Sequence, residues 1–419
     1  MSARPCRSAK QLFDVSNDFS GSRKLVAVIV ISDLEFGGAQ RQVVELANHL
    51  DPLTCEVYVC SLANYVPLAD SLKNREQRFR FILRRARFDF TVVFRLAKFL
   101  REVRADVVTS YLFDATIAAR LAGWLARRPV VIDTERNTGY VLKKIEAVAF
   151  RLTRWCNDLT IANSRAGAAF NSRVLKQPMS IYRVVHNGVD TERFQPRDGS
   201  VLRAELNIAP DESIVGMFAS FKPQKNHPLL LRAARRLLDN GFRFRLLLVG
   251  DELYKGMSNS VEYKQEVQKL IDGLNLRPHC IFAGNRKDVE RFYNVCDLTA
   301  LPSLFEGTPN VALESMASGV PVVATDVADN AYIVPDGRAG FVVELNDEAA
   351  MAERLGRLLT DHALRKTMSA SARNWVLEEF SCARLAEKTL AIYREAVQMK
   401  AAKQPFALQP ATAGRAGQL

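Results

Sequence analysis

Two doubly wound α/β units placed side by side are what this sequence predicts, and three observations predict it. The chain has 419 residues, of which 48% are hydrophobic, too much length for one ordinary core. Apolar, β-branched runs alternate with helical periods along each half, the signature of parallel strands joined by helical crossovers. The alternation breaks once, at the turn-prone His186-Asn187-Gly188-Val189-Asp190 and the polar stretch through Pro196 and Gly199, and then starts again.

The first strand is the clearest. Lys24 to Ser32 reads KLVAVIVIS, continuous in β-branched residues as a strand buried on both faces must be. Strands follow at Glu56 to Cys60, Arg80 to Leu83, Asp106 to Ser110, Val130 to Asp133, Leu159 to Ala162 and Tyr182 to Val185, with helical stretches such as Ala39 to Leu50, Thr91 to Val103 and Thr116 to Ala126 between them. The second half predicts strands at Ile214 to Phe218, Phe244 to Val249, Cys280 to Phe282, Leu298 to Leu301, Val320 to Ala324 and Phe341 to Val343. Asn226 and Pro228 open a helix that Asn240-Gly241 closes, and Gly319 with Pro321 ends another. Two such units leave a cleft between the carboxyl ends of their sheets. The expected division is a flexible segment 1–22, a first domain 23–192, a second domain 193–400 whose last helix returns toward the first, and a disordered tail 401–419 rich in Ala, Pro, Gln and Gly.

Composition narrows the function. The seven cysteines, Cys6, Cys55, Cys60, Cys156, Cys280, Cys296 and Cys382, form no C-x-x-C pair, which suggests a reducing compartment and no thiolate metal site. No apolar run reaches bilayer-spanning length or resembles a signal peptide, so a cytoplasmic protein is expected. The net charge is +12, and almost all of the excess falls in residues 1–200. It is densest at Arg75, Arg78, Arg80, Arg84, Arg85 and Arg87, with Phe79, Phe81 and Phe88 interleaved, followed by Arg95, Lys98, Arg101 and Arg104. Basic and aromatic residues in alternation suit an anionic membrane surface or an acceptor phosphate, against the plainer alternative of a solvated helix face. Nucleic acid is the other polyanion, but the chain carries no zinc finger or RNA-binding aromatic motif.

Three segments carry candidate chemistry. Phe36-Gly37-Gly38-Ala39-Gln40 follows the first strand; its paired glycines let the backbone approach a ligand, with helix N–H groups directed at it. Lys222-Pro223-Gln224-Lys225-Asn226-His227 places two cations at the start of a helix, where the dipole is positive as well, an arrangement that calls for a compensating anion such as a diphosphate. The third runs from Pro302 to Gly319, with Glu306 in a loop after a strand, Thr308 and Pro309 suited to cap the helix, and Glu314 eight positions beyond Glu306. Glu314 stands among Val311, Leu313 and Ala317, so its carboxylate needs partners: ligand hydroxyls, or alternatively a nearby arginine. A metal reading has only Asp133-Thr134-Glu135 to offer, with no D-x-D and no ligand spacing among the five histidines.

Taken together, the GGAQ loop (Gly37 to Gln40), the NGVD hinge (Asn187 to Asp190), Lys225-Asn226, Val249-Gly250-Asp251, Phe282-Ala283-Gly284 and the E-x7-E element from Glu306 to Glu314 with MASGVPVVATD behind it resemble glycosyltransferase family 4, the retaining enzymes of the GT-B fold, from Lys24 to about Lys400. The resemblance implies that Glu306 contacts the transferred sugar and Lys225 the diphosphate, with Lys222 standing in for a family arginine where this chain has Ala219-Ser220. It implies that Glu314 holds the ribose hydroxyls, that Gly284, Asn285 and Arg286 border the base, that Gly307, Thr308, Asn310 and Val311 complete the donor site, and that Gly37 and Gly38 lie by the phosphates and the acceptor. The family's first-domain His has no obvious counterpart, with Asp114, Glu135 and Arg136 as polar alternatives, and Tyr332 replaces a family carboxylate.

The function so implied is metal-independent, retaining transfer of a hexose-type sugar from a UDP- or GDP-sugar to a polyprenyl-linked or other envelope glycan at the inner face of a membrane, with no cofactor beyond the nucleotide-sugar co-substrate. A sugar-nucleotide epimerase or an inactive binding subunit of the same architecture are the alternatives.

Overall fold

The computed structural model describes residues 23–86, 89–127, 129–136, 144–252 and 260–403. Segment 1–22, Arg87, Phe88 and residues 404–419, on which expectations above fall, lie outside the described residues.

Thirteen strands form two sheets, and every strand pairing between them is parallel. The first sheet comprises β1 (Leu25–Ile31), β2 (Cys55–Ser61), β3 (Phe79–Phe81), β4 (Val107–Tyr111), β5 (Val130–Glu135), β6 (Leu159–Ala162) and β7 (Tyr182–Val184), in the order β3-β2-β1-β4-β5-β6-β7. The second comprises β8 (Ile214–Phe218), β9 (Arg245–Val249), β10 (Cys280–Gly284), β11 (Leu298–Leu301), β12 (Val322–Thr325) and β13 (Gly340–Val343), in the order β10-β9-β8-β11-β12-β13. This is the predicted α/β architecture of two Rossmann-like units. Strand β1 is buried along its whole length, which is why its sequence shows no polar alternation.

In each sheet the winding reverses once, between β1 and β4 and between β8 and β11. At such a reversal the flanking crossovers leave on opposite faces and open a crevice at the carboxyl ends of the strands. Gly37 and Gly38 follow β1, while Lys222 and Lys225 follow β8 and Glu306 follows β11. The candidate residues therefore emerge at the two switch points.

The chain crosses between the units twice. Residues 185–190 lead outward, and the return runs alongside them: Val189 N–H donates to the Phe380 carbonyl (2.8 Å) and Cys382 N–H to the Val189 carbonyl (3.1 Å). The last helix, Cys382–Lys403, then packs on the first sheet, contributing Leu385, Ala386, Ile392, Tyr393 and Ala396 to its core. Thr109 hydroxyl bonds Tyr393 hydroxyl at 2.8 Å, and Lys400 Nζ donates to the Pro129 carbonyl at 2.8 Å. The helix runs on through Lys403, so the first three residues assigned to a disordered tail are helical. Among the described residues no helix is long and apolar enough to cross a membrane.

Candidate functional site

The segment after β8 is shaped by its own sequence. Lys222 is extended, Pro223–Lys225 form one 3-10 turn, and Asn226 takes a left-handed conformation (φ 49°) that turns the chain into the His227–Asp239 helix, a conformation asparagine tolerates better than most residues. Two bonds tie this loop to the one after β11: Leu304 N–H to the Gln224 carbonyl (2.8 Å) and Gln224 Nε2 to the Phe305 carbonyl (2.8 Å). The result brings Lys225 Nζ to 2.6 Å from Glu306 Oε1, with both side chains largely buried. His227 just beyond is buried against Phe221, and that burial pushes its imidazole down to about 3, so it is neutral.

Lys222 is half-buried beside this pair. Burial first, and Lys225 second, hold its ammonium below the usual lysine range; among the described residues it has no ion pair. Two ammoniums thus share one carboxylate at a helix start, leaving a net positive site. A bound anion would favour protonated Lys222. Nucleotide diphosphate affinity is therefore expected to fall as pH rises through the depressed Lys222 pKa, sooner than an ordinary lysine would dictate. Titration calorimetry with UDP between pH 7 and 10 checks this; Lys222→Arg should flatten the profile, and an unchanged slope would remove Lys222 from the anion site.

Glu314 lies on the Asn310–Ala317 helix with both carboxylate oxygens engaged. Oε2 accepts from the Tyr293 hydroxyl at 2.9 Å, and Oε1 accepts from Arg41 Nη1 at 3.0 Å. Tyr293 is fully buried and stacked on Phe218 at 3.8 Å; that burial and the neighbouring carboxylate keep its phenol protonated. Arg41 belongs to the first domain, on the Gly38–His49 helix, and its side chain is 38% exposed. The arginine alternative for Glu314 is thus present, and it spans the cleft between two domains.

Around this link the domains meet closely. A Cβ on Gly38 would lie 3.3 Å from Asn310 Nδ2, and one on Gly307 would lie 2.7 Å from Asn163 Oδ1 and 3.1 Å from the Arg136 carbonyl. Asn187 Nδ2 donates to Asn310 Oδ1 (2.7 Å) and the Thr308 carbonyl (3.2 Å), while its Oδ1 accepts from Arg136 Nη1 (2.9 Å). Thr308 does not cap its helix as the sequence suggests. Its hydroxyl donates across the cleft to the Asn163 carbonyl, and the cap position falls to Pro309 with no side-chain bond. Val311 is half-buried one turn before Glu314. Beside this, Asp329 accepts from His186 Nε2 (2.8 Å) and from the backbone N–H groups of Arg165 (2.7 Å) and Ala166 (3.1 Å) at a first-domain helix start.

Gly37, Gly38, Gly307, Thr308, Asn310 and Glu314 are therefore brought together, with Lys222, Lys225 and Glu306 at the neighbouring switch point. Gly284, Asn285 and Arg286 sit further along the same sheet edge. Gly284 is left-handed (φ 66°) and its carbonyl accepts from Gly250 N–H at 2.8 Å; Asn285 is exposed, and Arg286 is held by Asp288 through two bonds of 3.1 and 3.2 Å. Gly250 itself (φ 138°) leaves no room for a side chain, since a Cβ would lie 2.1 Å from the Ala219 carbonyl oxygen.

Sequence reasoning missed Arg41, Tyr293, Asn163 and the Asn187–Arg136 bond. Arg41 stands directly after the GGAQ motif and Asn187 opens NGVD, so both had a signal; Tyr293 had none. Asp133, weighed as a metal ligand, is buried and bonded to Arg120 Nε at 2.9 Å. Burial and Asp133 together push the Glu135 carboxyl up to about 8. In the basic segment, Arg84 pairs with Asp114 (2.8 Å), Arg95 with Asp89 (2.8 Å) and Arg75 with Asp70, and Phe79 is buried.

Residues 36–193 match the family model for glycosyltransferase family 4, and residues 200–375 that for glycosyl transferases group 1. The chain is 26% identical over 326 residues to the UDP-Gal:alpha-D-GlcNAc-diphosphoundecaprenol alpha-1,3-galactosyltransferase of Escherichia coli, covering 74% of this chain and 81% of that one. It is 34% identical over 214 residues to the D-inositol 3-phosphate glycosyltransferase of Nocardia farcinica, covering 48% of this chain and only 47% of that relative. Among solved structures, Anabaena HepE in complex with UDP and glucose superposes with a TM-score of 0.75 at 21% identity, over 88% of this chain and 99% of that one. The lipopolysaccharide outer core galactosyltransferase WaaB superposes with a TM-score of 0.65 at 16% identity, over 90% and 99%. At those identities the structural likeness speaks to the fold.

Proposed function

Because this chain belongs to the family 4, group 1 glycosyltransferases, we propose that it moves a hexose-type sugar from a UDP- or GDP-linked donor to a lipid-linked or polysaccharide acceptor of the cell envelope, with retention of anomeric configuration. The observation that carries the reading is the cationic pair Lys222 and Lys225, one of them bridged to Glu306, at the β8/β11 switch point. That is where a sugar diphosphate meets opposite charge, backbone N–H groups and a carboxylate for its sugar hydroxyls at once.

In this reading the diphosphate lies across Lys222 and Lys225, releasing Glu306 from Lys225 to hold the sugar, while the ribose hydroxyls replace Arg41 on Glu314. As the anomeric C–O bond breaks, the growing negative charge on the diphosphate is met by both ammoniums. The acceptor hydroxyl attacks from the same face, and its proton passes to the departing diphosphate oxygen, which accounts for retention. UDP in the HepE structure and the diphosphoundecaprenol-linked acceptor of the E. coli relative support the choice of donor and acceptor class.

Thermal shift with nucleotides tests the donor half. A ligand at a hundredfold excess over its Kd stabilises by about 2.7 kcal/mol, so UDP or GDP should raise Tm by several degrees and the matching monophosphate by much less. Equal shifts for UMP and UDP, and for GMP and GDP, would sink the lysine assignment. Turnover should persist in EDTA, because the ammoniums supply the charge that a metal otherwise would.

A further inference from the structure

We propose that the helix Lys144–Leu152 and the turn after it form a lipid-docking surface beside the acceptor side of the cleft. This deepens the reading above by naming the surface that meets the membrane, and rests on it only for the source of the acceptor. Ile145, Val148 and Leu152 recur at the spacing of one helix face and are 70%, 52% and 69% exposed. Trp155 (60% exposed) and Trp124 (53%) extend the same surface, their rings edge to face at 5.3 Å. An isolated exposed leucine is ordinary, but five large apolar side chains in one patch are not.

The helix cannot roll to bury this face, because its other side is already fixed. Phe150 is buried against Phe113 (5.5 Å), and its carbonyl, like the Thr153 hydroxyl, accepts from the buried Arg120 at 2.9 Å. Trp155 also meets the requirement for entering an apolar medium: its indole N–H is satisfied by the Leu152 carbonyl at 2.8 Å, so the ring can leave water without orphaning a donor.

The charge around the patch selects the occupant. Arg127, Arg151 and Arg154 are exposed at its border and form no ion pair among the described residues, unlike Arg75, Arg84 and Arg95, which are taken up by acids. Indoles and aliphatic side chains at headgroup depth with guanidiniums on the anionic phosphates are the composition of a membrane-surface helix. A second copy seated here through a two-fold axis would bring these arginines onto one another. The placement fits as well, since this helix packs against the helix Arg165–Leu175, whose first N–H groups bond Asp329 across the cleft.

Sedimentation with phosphatidylglycerol–phosphatidylcholine vesicles tests the proposal on the whole chain. The protein should bind them, release as salt rises, and show a blue shift in tryptophan emission, since two of its three tryptophans lie in the patch. Leu152→Ser with Trp155→Ser should lower partitioning more than tenfold. Arg151→Ser with Arg154→Ser should lower it about fivefold per arginine, whereas Arg75→Ser with Arg84→Ser, both paired with acids, should leave it near wild type. Wild-type binding by the Leu152/Trp155 variant, absence of wild-type binding, or a concentration-dependent dimer that this variant dissolves would each overturn the proposal. Transfer to a water-soluble acceptor should be equal in all variants; its absence even in the wild type would count against the transferase reading and leave the vesicle result standing on its own.

Discussion

Lys225→Ala is expected to lower kcat by about a hundred- to a thousandfold, with a much smaller rise in the Kd for UDP or GDP. The asymmetry follows from when charge appears. In the bound donor the diphosphate charge is spread over both phosphates and shared with Lys222 and helix N–H groups; in the transition state it concentrates on the leaving oxygen, and the loss of an ammonium is felt most there. Lys225 also neutralises Glu306, whose carboxylate is buried, so its removal has a structural cost as well. The two effects separate in the double variant: adding Glu306→Gln to Lys225→Ala should recover Tm and recover no turnover. Stopped-flow or steady-state kinetics with donor titration measure the first effect and calorimetry the second. If the double variant regained activity, Lys225 would be a structural partner of Glu306 and no more.

Glu314→Gln is expected to weaken donor binding by about ten- to a hundredfold, the worth of one charge-assisted hydrogen bond, while kcat at saturating donor changes little. Ribose is remote from the bond that breaks, so its contacts are equally strong in ground and transition states. The amide keeps the size of the site and can still accept from Tyr293, so the fold should survive. Arg41→Gln should act in the opposite direction, because Arg41 occupies a Glu314 oxygen that the ribose needs; donor affinity should rise or stay level. Weaker donor binding in Arg41→Gln would mean that the arginine holds the ligand rather than the empty cleft.

The strands were legible because their sequences answer to a single demand. A parallel strand covered on both faces is a short apolar run, and all thirteen such runs became strands, with ends displaced by at most two residues, as at the register shift between Phe282 and Gly284. The second-domain part of the site was legible for a related reason: Lys222, Lys225 and Glu306 each follow a strand, and strands β8 and β11 are neighbours. Contacts between domains were not legible. Arg41 and Glu314 are separated by 273 positions, and no local pattern says that the Gly38–His49 helix faces the Asn310–Ala317 helix. The basic segment was legible only in part. Its arginines are conspicuous in the sequence, but the pairing of Arg75 with Asp70, Arg84 with Asp114 and Arg95 with Asp89 is not, while Arg85, Arg101 and Arg104 stay exposed with no ion pair among the described residues.

The returning helix Cys382–Lys403 has a consequence for how the molecule is made. On a ribosome the first sheet emerges complete long before Leu385, Ile392 and Tyr393, which close its core, and at about 5–20 residues per second the interval is roughly ten to forty seconds. During that time the second sheet, whose core draws on nothing beyond residue 380, is free to finish. The domain synthesised first therefore completes its core last, and the apolar groove awaiting the helix is the surface that chaperones and premature termination act upon.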